Sequence, residues 1–103
     1  ICDMYHISRC MILSFACKAT RKLFLDGDCD PRWRSIESVA FRKLDMLDAA
    51  TTVSDLRVPP GNRLEVLKGD RQGQWSIRIN DQWRVCFRWD ADGPSDVAIV
   101  DYH

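Results

Sequence analysis

Trp75-Ser76-Ile77-Arg78-Ile79-Asn80-Asp81-Gln82-Trp83-Arg84-Val85-Cys86-Phe87-Arg88-Trp89 reads as a β-hairpin. Trp75, Ile77 and Ile79 alternate with Ser76 and Arg78. Trp83, Val85, Phe87 and Trp89 alternate with Arg84, Cys86 and Arg88. Successive strand residues point to opposite faces, so each run buries one face and leaves the other polar. Asn80-Asp81 supplies a tight turn between them. Upstream, Val58-Pro59-Pro60-Gly61-Asn62 is expected to exclude helix, because its prolines lack backbone donors and fix φ. That stretch marks the switch from an α half to a β half.

In the α half the apolar period lengthens. Trp33, Ile36, Ala40, Leu44 and Leu47 recur at spacings of three and four and predict one amphipathic helix. Asp30-Pro31 opens it, with Asp suited to the N-cap and Pro to the first turn. A shorter helix is predicted from Lys18 to Leu25, stopped where Gly27 can take a left-handed cap. Met11-Ile12-Leu13-Ser14-Phe15 is an apolar run expected to form the first strand. Asp48 to Arg57 reads as a connector or a frayed helix end.

In the β half, Arg63-Leu64-Glu65-Val66 alternates and places Leu64 and Val66 on one buried face. Asp90 to Pro94 turns the chain into a last strand, Asp96 to Tyr102. That strand is nearly continuously apolar and is expected to be more buried than its neighbours. The predicted order is β-α-α-β-β-β-β. Two N-terminal helices on a small, mostly antiparallel sheet make the class α+β.

At 103 residues the chain supports one domain, assigned to 11–103. A domain of that size buries about two-thirds of its unfolded surface and needs no disulfide or metal to fold. Residues 1–10 lack periodicity and are expected to be an N-terminal extension, from an upstream start or foreign to the native chain, so His6 is given no role. Five cysteines without C-x-x-C spacing form neither a zinc pattern nor a disulfide framework. Cys86 reads as a small core residue. No apolar run approaches the length of a membrane span, and no secretory signal is found. A cytoplasmic protein without membrane contact is expected.

The 15 basic and 15 acidic residues cancel, so only their placement is informative. Arg57 to Arg88 holds seven basic residues and three acids, whereas the chain from Trp89 onward has four Asp and no Lys or Arg. A local basic zone fits a polyanion ligand; an outward sheet face carrying arginine for solubility fits it about as well. Arg78, Arg84 and Arg88 share one parity, and arginine's planar fork suits phosphate. Lys68-Gly69-Asp70-Arg71 is a charged turn, also readable as a plain hairpin loop. It is not a phosphate-binding P-loop.

The chain closes on Asp101-Tyr102-His103, directly after the apolar run Val97-Ala98-Ile99-Val100. A strand ending there places an acid, a phenol and an imidazole at the sheet rim. An unperturbed imidazole changes charge near neutral pH, which makes His103 the natural candidate for a proton shuttle. Tyr102 can stack on a base. Glu65 is a possible general base, though an ion-paired surface glutamate is the more ordinary explanation. RNA transesterification needs a base for the 2′-OH, cations for the phosphorane and an acid for the leaving 5′-oxygen. These residues supply all three, with no metal and no cofactor.

The stretch Pro59 to Ile77, the stretch Asn80 to Trp89 and the ending Val100-Asp101-Tyr102-His103 together resemble the HigB toxins of the RelE/ParE superfamily. The likeness covers Met11 to His103. It rests on Leu67-Lys68-Gly69-Asp70-Arg71, Trp83-Arg84 and the terminal Asp-Tyr-His. It implies the RelE/ParE-like fold and a toxin of a type II toxin–antitoxin pair. It also implies a ribosome-dependent mRNA endonuclease that cuts in the A site of the small subunit. The implied partner is a HigA-like helix-turn-helix antitoxin, through which alone operator DNA is bound. The roles carried over are phosphate charge for Lys68, the transition state for Arg84, proton transfer for His103, positioning for Tyr102 and a place in the terminal motif for Asp101. Arg71, Arg78 and Arg88 are RNA-binding candidates. Some HigB toxins have a histidine in the strand before that lysine where this chain has Glu65, which leaves two readings of the general base: Glu65 takes the role, or His103 works with less help and the cut is slower. The alternative on the same scaffold is a non-enzymatic, ParE-like inhibitor of DNA gyrase.

Overall fold

The computed structural model describes residues 11–101, apart from the side chain of Arg71. Helix α1 spans Lys18–Asp26 and ends on Gly27, whose φ of 71° is the left-handed conformation expected at a helix C-cap. Asp30 caps the next segment by accepting from the Arg32 N–H at 2.9 Å. That segment begins as a tight 3-10 stretch, Pro31–Ile36, and runs into helix α2, Glu37–Ala49. Trp33, Ile36, Ala40, Leu44 and Leu47 are all buried, as their spacing predicts.

Strands β1 (Glu65–Val66), β2 (Gln74–Arg78), β3 (Trp83–Asp90) and β4 (Gly93–Asp101) follow in an antiparallel sheet of order β1-β2-β3-β4. The helices cover one face, packing mainly over β3 and β4. Ile77, Val85, Phe87, Val97 and Ile99 point into that layer with Leu23, Trp33, Leu44 and Leu56. Each fully buried side chain of that size stabilises the fold by about 1.5–3 kcal/mol. Buried Thr20 ties α1 to β4 by accepting from the Ile99 N–H at 3.0 Å.

Four expectations need correction. Residues 11–15 form no full strand: Phe15 makes a single parallel bridge to Val97. Asp48 accepts the Ile12 N–H at 3.0 Å, so the segment's donors are divided between the sheet and α2. Pro60–Asn62 does make one 3-10 turn, since proline is tolerated where the first donors have no partner anyway. Strand β1 is only two residues long, and Val66 is 53% exposed, because this edge lies away from the helices over β3 and β4. Strand β4 begins at Gly93 and alternates in burial, whereas β3 holds four consecutive buried residues, being flanked on both sides. The connector contains a 3-10 turn, Val53–Arg57, closed by a capping box between Thr52 and Asp55.

Candidate active site

The sheet face turned away from the helices carries the polar parity of β1–β4. One row across it is Glu65, Ser76, Cys86 and Ala98; the next is Arg78, Arg84 and Val100. Arg78 and Arg84 stand directly opposite each other, an arrangement that repulsion disfavours. Each arginine is turned to a different partner. Arg78 pairs with Asp81 in the hairpin loop. Arg84 lies sideways over β2 toward β1, donating from Nε to Ser76 Oγ at 2.8 Å and from Nη2 to the Arg63 carbonyl at 2.7 Å. Glu65 Oε1 is 3.7 Å from the same Nη2.

Arg84 is 8% exposed, and Ser76 beneath it is fully buried. Burying a guanidinium is costly unless its protons find acceptors. A hydroxyl and a carbonyl accept two of those protons here. Arg63 takes the left-handed conformation at φ 46°. A non-glycine residue there costs of order 1 kcal/mol, and the turn brings its carbonyl to Arg84. Asn62 anchors that turn. Its fully buried side chain donates to the Leu56 carbonyl at 3.1 Å and accepts from Lys43 Nζ on α2. Burial holds the Lys43 ammonium below the usual lysine value, and repulsion from Arg42 and Arg78 adds to it.

The remaining predicted residues spread outward. Arg88 is half-exposed, with Nε 3.5 Å from Asp96 Oδ2. Gly73, at φ 91°, lies against it: a Cβ there would come within 3.1 Å of Arg88 Nη1. Lys68 is exposed and leads into the single turn Gly69–Arg71, held by the Leu67 N–H donating to the Gln74 carbonyl at 2.8 Å. Asp101 is opposite Trp83, so it points to the helix side of the sheet and does not share a face with Arg84. It accepts from Gln82 Nε2 at 3.1 Å and lines an open groove of about 750 Å³ with Arg32, Ser35 and Trp83. Tyr102, His103 and the side chain of Arg71 lie outside the described residues.

The structure therefore brings Arg84, Glu65 and Arg78 to one sheet face and puts Asp101 on the other. Ser76, the Arg63 carbonyl and Asn62 escape a sequence reading. Ser76 shares the arginines' parity, and Asn62 sits in a turn where a polar residue is ordinary, so neither stands out. The arrangement holds a fixed cation beside a half-exposed carboxylate, a pairing suited to a substrate whose charge grows during reaction.

Comparison with known proteins gives the family. A family model described as "RelE-like toxin of type II toxin-antitoxin system HigB" matches residues 13–103. The chain belongs to the HigB family. It is 45% identical over 97 residues to Toxin HigB-1 of Vibrio cholerae, covering 90% of this chain and 98% of that one. It is 32% identical over 94 residues to Endoribonuclease HigB of Proteus vulgaris, covering 90% of this chain and all of that one. A solved YoeB/ParE toxin from Agrobacterium tumefaciens aligns with 90% of this chain and 98% of its own, at 18% identity and a TM-score of 0.49. As a HigB-type toxin of a type II system, the chain has an antitoxin as its partner class.

Proposed function

We propose that this HigB toxin is a ribosome-dependent endoribonuclease that cuts mRNA in the A site and so inhibits translation. The observation that carries the reading is the Arg84 guanidinium, held by Ser76 and Arg63 with the Glu65 carboxylate 3.7 Å away. In the proposed reaction a carboxylate or imidazole removes the ribose 2′-OH proton. The 2′-oxygen attacks phosphorus, Arg84 and Lys68 stabilise the charge building on the phosphorane, and the bond to the 5′-oxygen breaks. Glu65 is the proposed base. His103 is the proposed acid, protonating the leaving 5′-oxygen and leaving a 2′,3′-cyclic phosphate upstream. The step is metal-independent in this scheme. Tyr102 is assigned to substrate positioning, and Arg71, Arg78 and Arg88 to the RNA backbone. Asp101 supports the strand end through Gln82. The name of the Proteus relative supports RNA as substrate. The partner is a HigA-like helix-turn-helix antitoxin, and operator DNA is reached only through it.

The test is translation of a defined mRNA on ribosomes with and without the full chain. The expected result is fragments ending in the A-site codon with cyclic phosphate ends, lost in Arg84→Ala and His103→Ala. Intact mRNA together with a block of gyrase supercoiling would favour the ParE-like alternative. Undiminished growth arrest by both variants would remove Arg84 and His103 from the catalytic role.

A further inference from the structure

The buried polar groups of the site face converge on one side chain. Ser76 Oγ meets Arg84 Nε at 2.8 Å, and the Arg63 carbonyl meets Nη2 at 2.7 Å. Those two nitrogens share one edge of a planar group, so two fixed acceptors set its position and its plane together. The second acceptor is itself held. The Arg63 N–H donates to the Pro60 carbonyl at 3.1 Å, and the Asn62 N–H donates to the Pro59 carbonyl at 3.0 Å. The Asn62 side chain is clamped between the Leu56 carbonyl and Lys43. A run of hydrogen bonds thus joins α2 to Arg84 through the turn before β1.

We propose that Ser76 is a positioning residue for Arg84, with the Asn62-anchored carbonyl of Arg63 as the second support. Serine at a fully buried strand position contributes little packing, and its hydroxyl costs free energy to bury unless it is bonded. The Arg84 guanidinium donates to that hydroxyl. An arginine ordered before substrate arrives needs no reorganisation as charge develops, which is where electrostatic catalysis draws its strength. The two supports also keep Nη2 3.7 Å from Glu65 Oε1, outside close hydrogen-bond contact, and Glu65 stays half-exposed. The inference rests on the RNA-cleaving reading for its rate measurement, and on nothing from it for its structural one.

The test uses the full chain in two measurements. The first is exchange of the Arg84 Nε–H by nitrogen-15 NMR, assigned by its disappearance in Arg84→Lys. Slow exchange in the native chain and fast exchange in Ser76→Ala are expected. The second is single-turnover cleavage of a defined mRNA on programmed ribosomes. Ser76→Ala is expected to lower the saturated rate about tenfold, the effect of losing one well-placed hydrogen bond, with half-saturation unchanged. In an Arg84→Lys background the same change should cost less than about twofold, because coupled residues are not additive. Native-like rates in Ser76→Ala, multiplying losses in the double variant, or a fast-exchanging native Nε–H would each overturn the proposal. If native protein leaves mRNA intact, the RNA-cleaving reading fails alone. Nε–H exchange and growth arrest by the same variants then decide the positioning role.

Discussion

Asn62→Ala is expected to destabilise the fold by about 2–3 kcal/mol, far more than an ordinary turn substitution. Asn62 is fully buried, and two of its hydrogen bonds matter. Its amide donates to the Leu56 carbonyl at 3.1 Å, and Leu56 is itself fully buried. Removing a neutral donor and leaving that carbonyl unpaired costs about 1 kcal/mol. Its side-chain oxygen accepts from the Lys43 ammonium. A bond to a charged group is worth about 1.5–3 kcal/mol, and Lys43, being only partly buried, recovers part of that from water. Weak donation to Met46 Sδ at 3.3 Å is neglected. For a domain of this length the total lowers Tm by about 10–20 °C. Urea unfolding of the native chain, Asn62→Ala, Lys43→Met and the double variant measures the loss and assigns it. The double-mutant cycle should give a coupling of about 1–2 kcal/mol between Lys43 and Asn62. An Asn62→Ala loss below about 0.5 kcal/mol, or a coupling near zero, would refute the reasoning that this turn is held from α2.

Three further outcomes follow from the same geometry. Arg84→Lys keeps the charge but lacks Nε and the planar fork, so the saturated cleavage rate should fall about 100-fold; a loss under threefold in ribosome assays would contradict it. Gly73→Ala should cost about 1–2 kcal/mol in urea unfolding, because φ is 91° and the new Cβ meets Arg88 Nη1 at 3.1 Å. Hydrogen bonds from Thr51 and Thr52 hold the Asp55 carboxyl below the usual aspartate range. Its contribution is therefore present above the unfolded pKa of about 3.9 and lost as pH falls through the lower folded value. The gap in unfolding midpoint between the native chain and Asp55→Ala should be full at neutral pH and close in strong acid; a gap that persists unchanged would contradict the capping role.

The helices and central strands were legible because burial imposes a period. Trp33 to Leu47 recur on one helical side, and Trp75 to Phe87 alternate, so their inward residues could be named from spacing. The same parity put Arg78, Arg84 and Arg88 on one face. Local pattern failed where the partner was distant. Residues 11–15 look like a strand, yet the Ile12 N–H is taken by Asp48. Val66 alternates correctly but lies on an edge strand and stays exposed.

At the site, sequence determined which chemical groups are present and which strands carry them. Their convergence depended on the tertiary structure. Arg84 bonds residues 8 and 21 positions away in the chain, and strand register sets Asp101 opposite Trp83. Side-chain period is a property of one strand, whereas register and loop closure depend on contacts between strands, which no local spacing encodes.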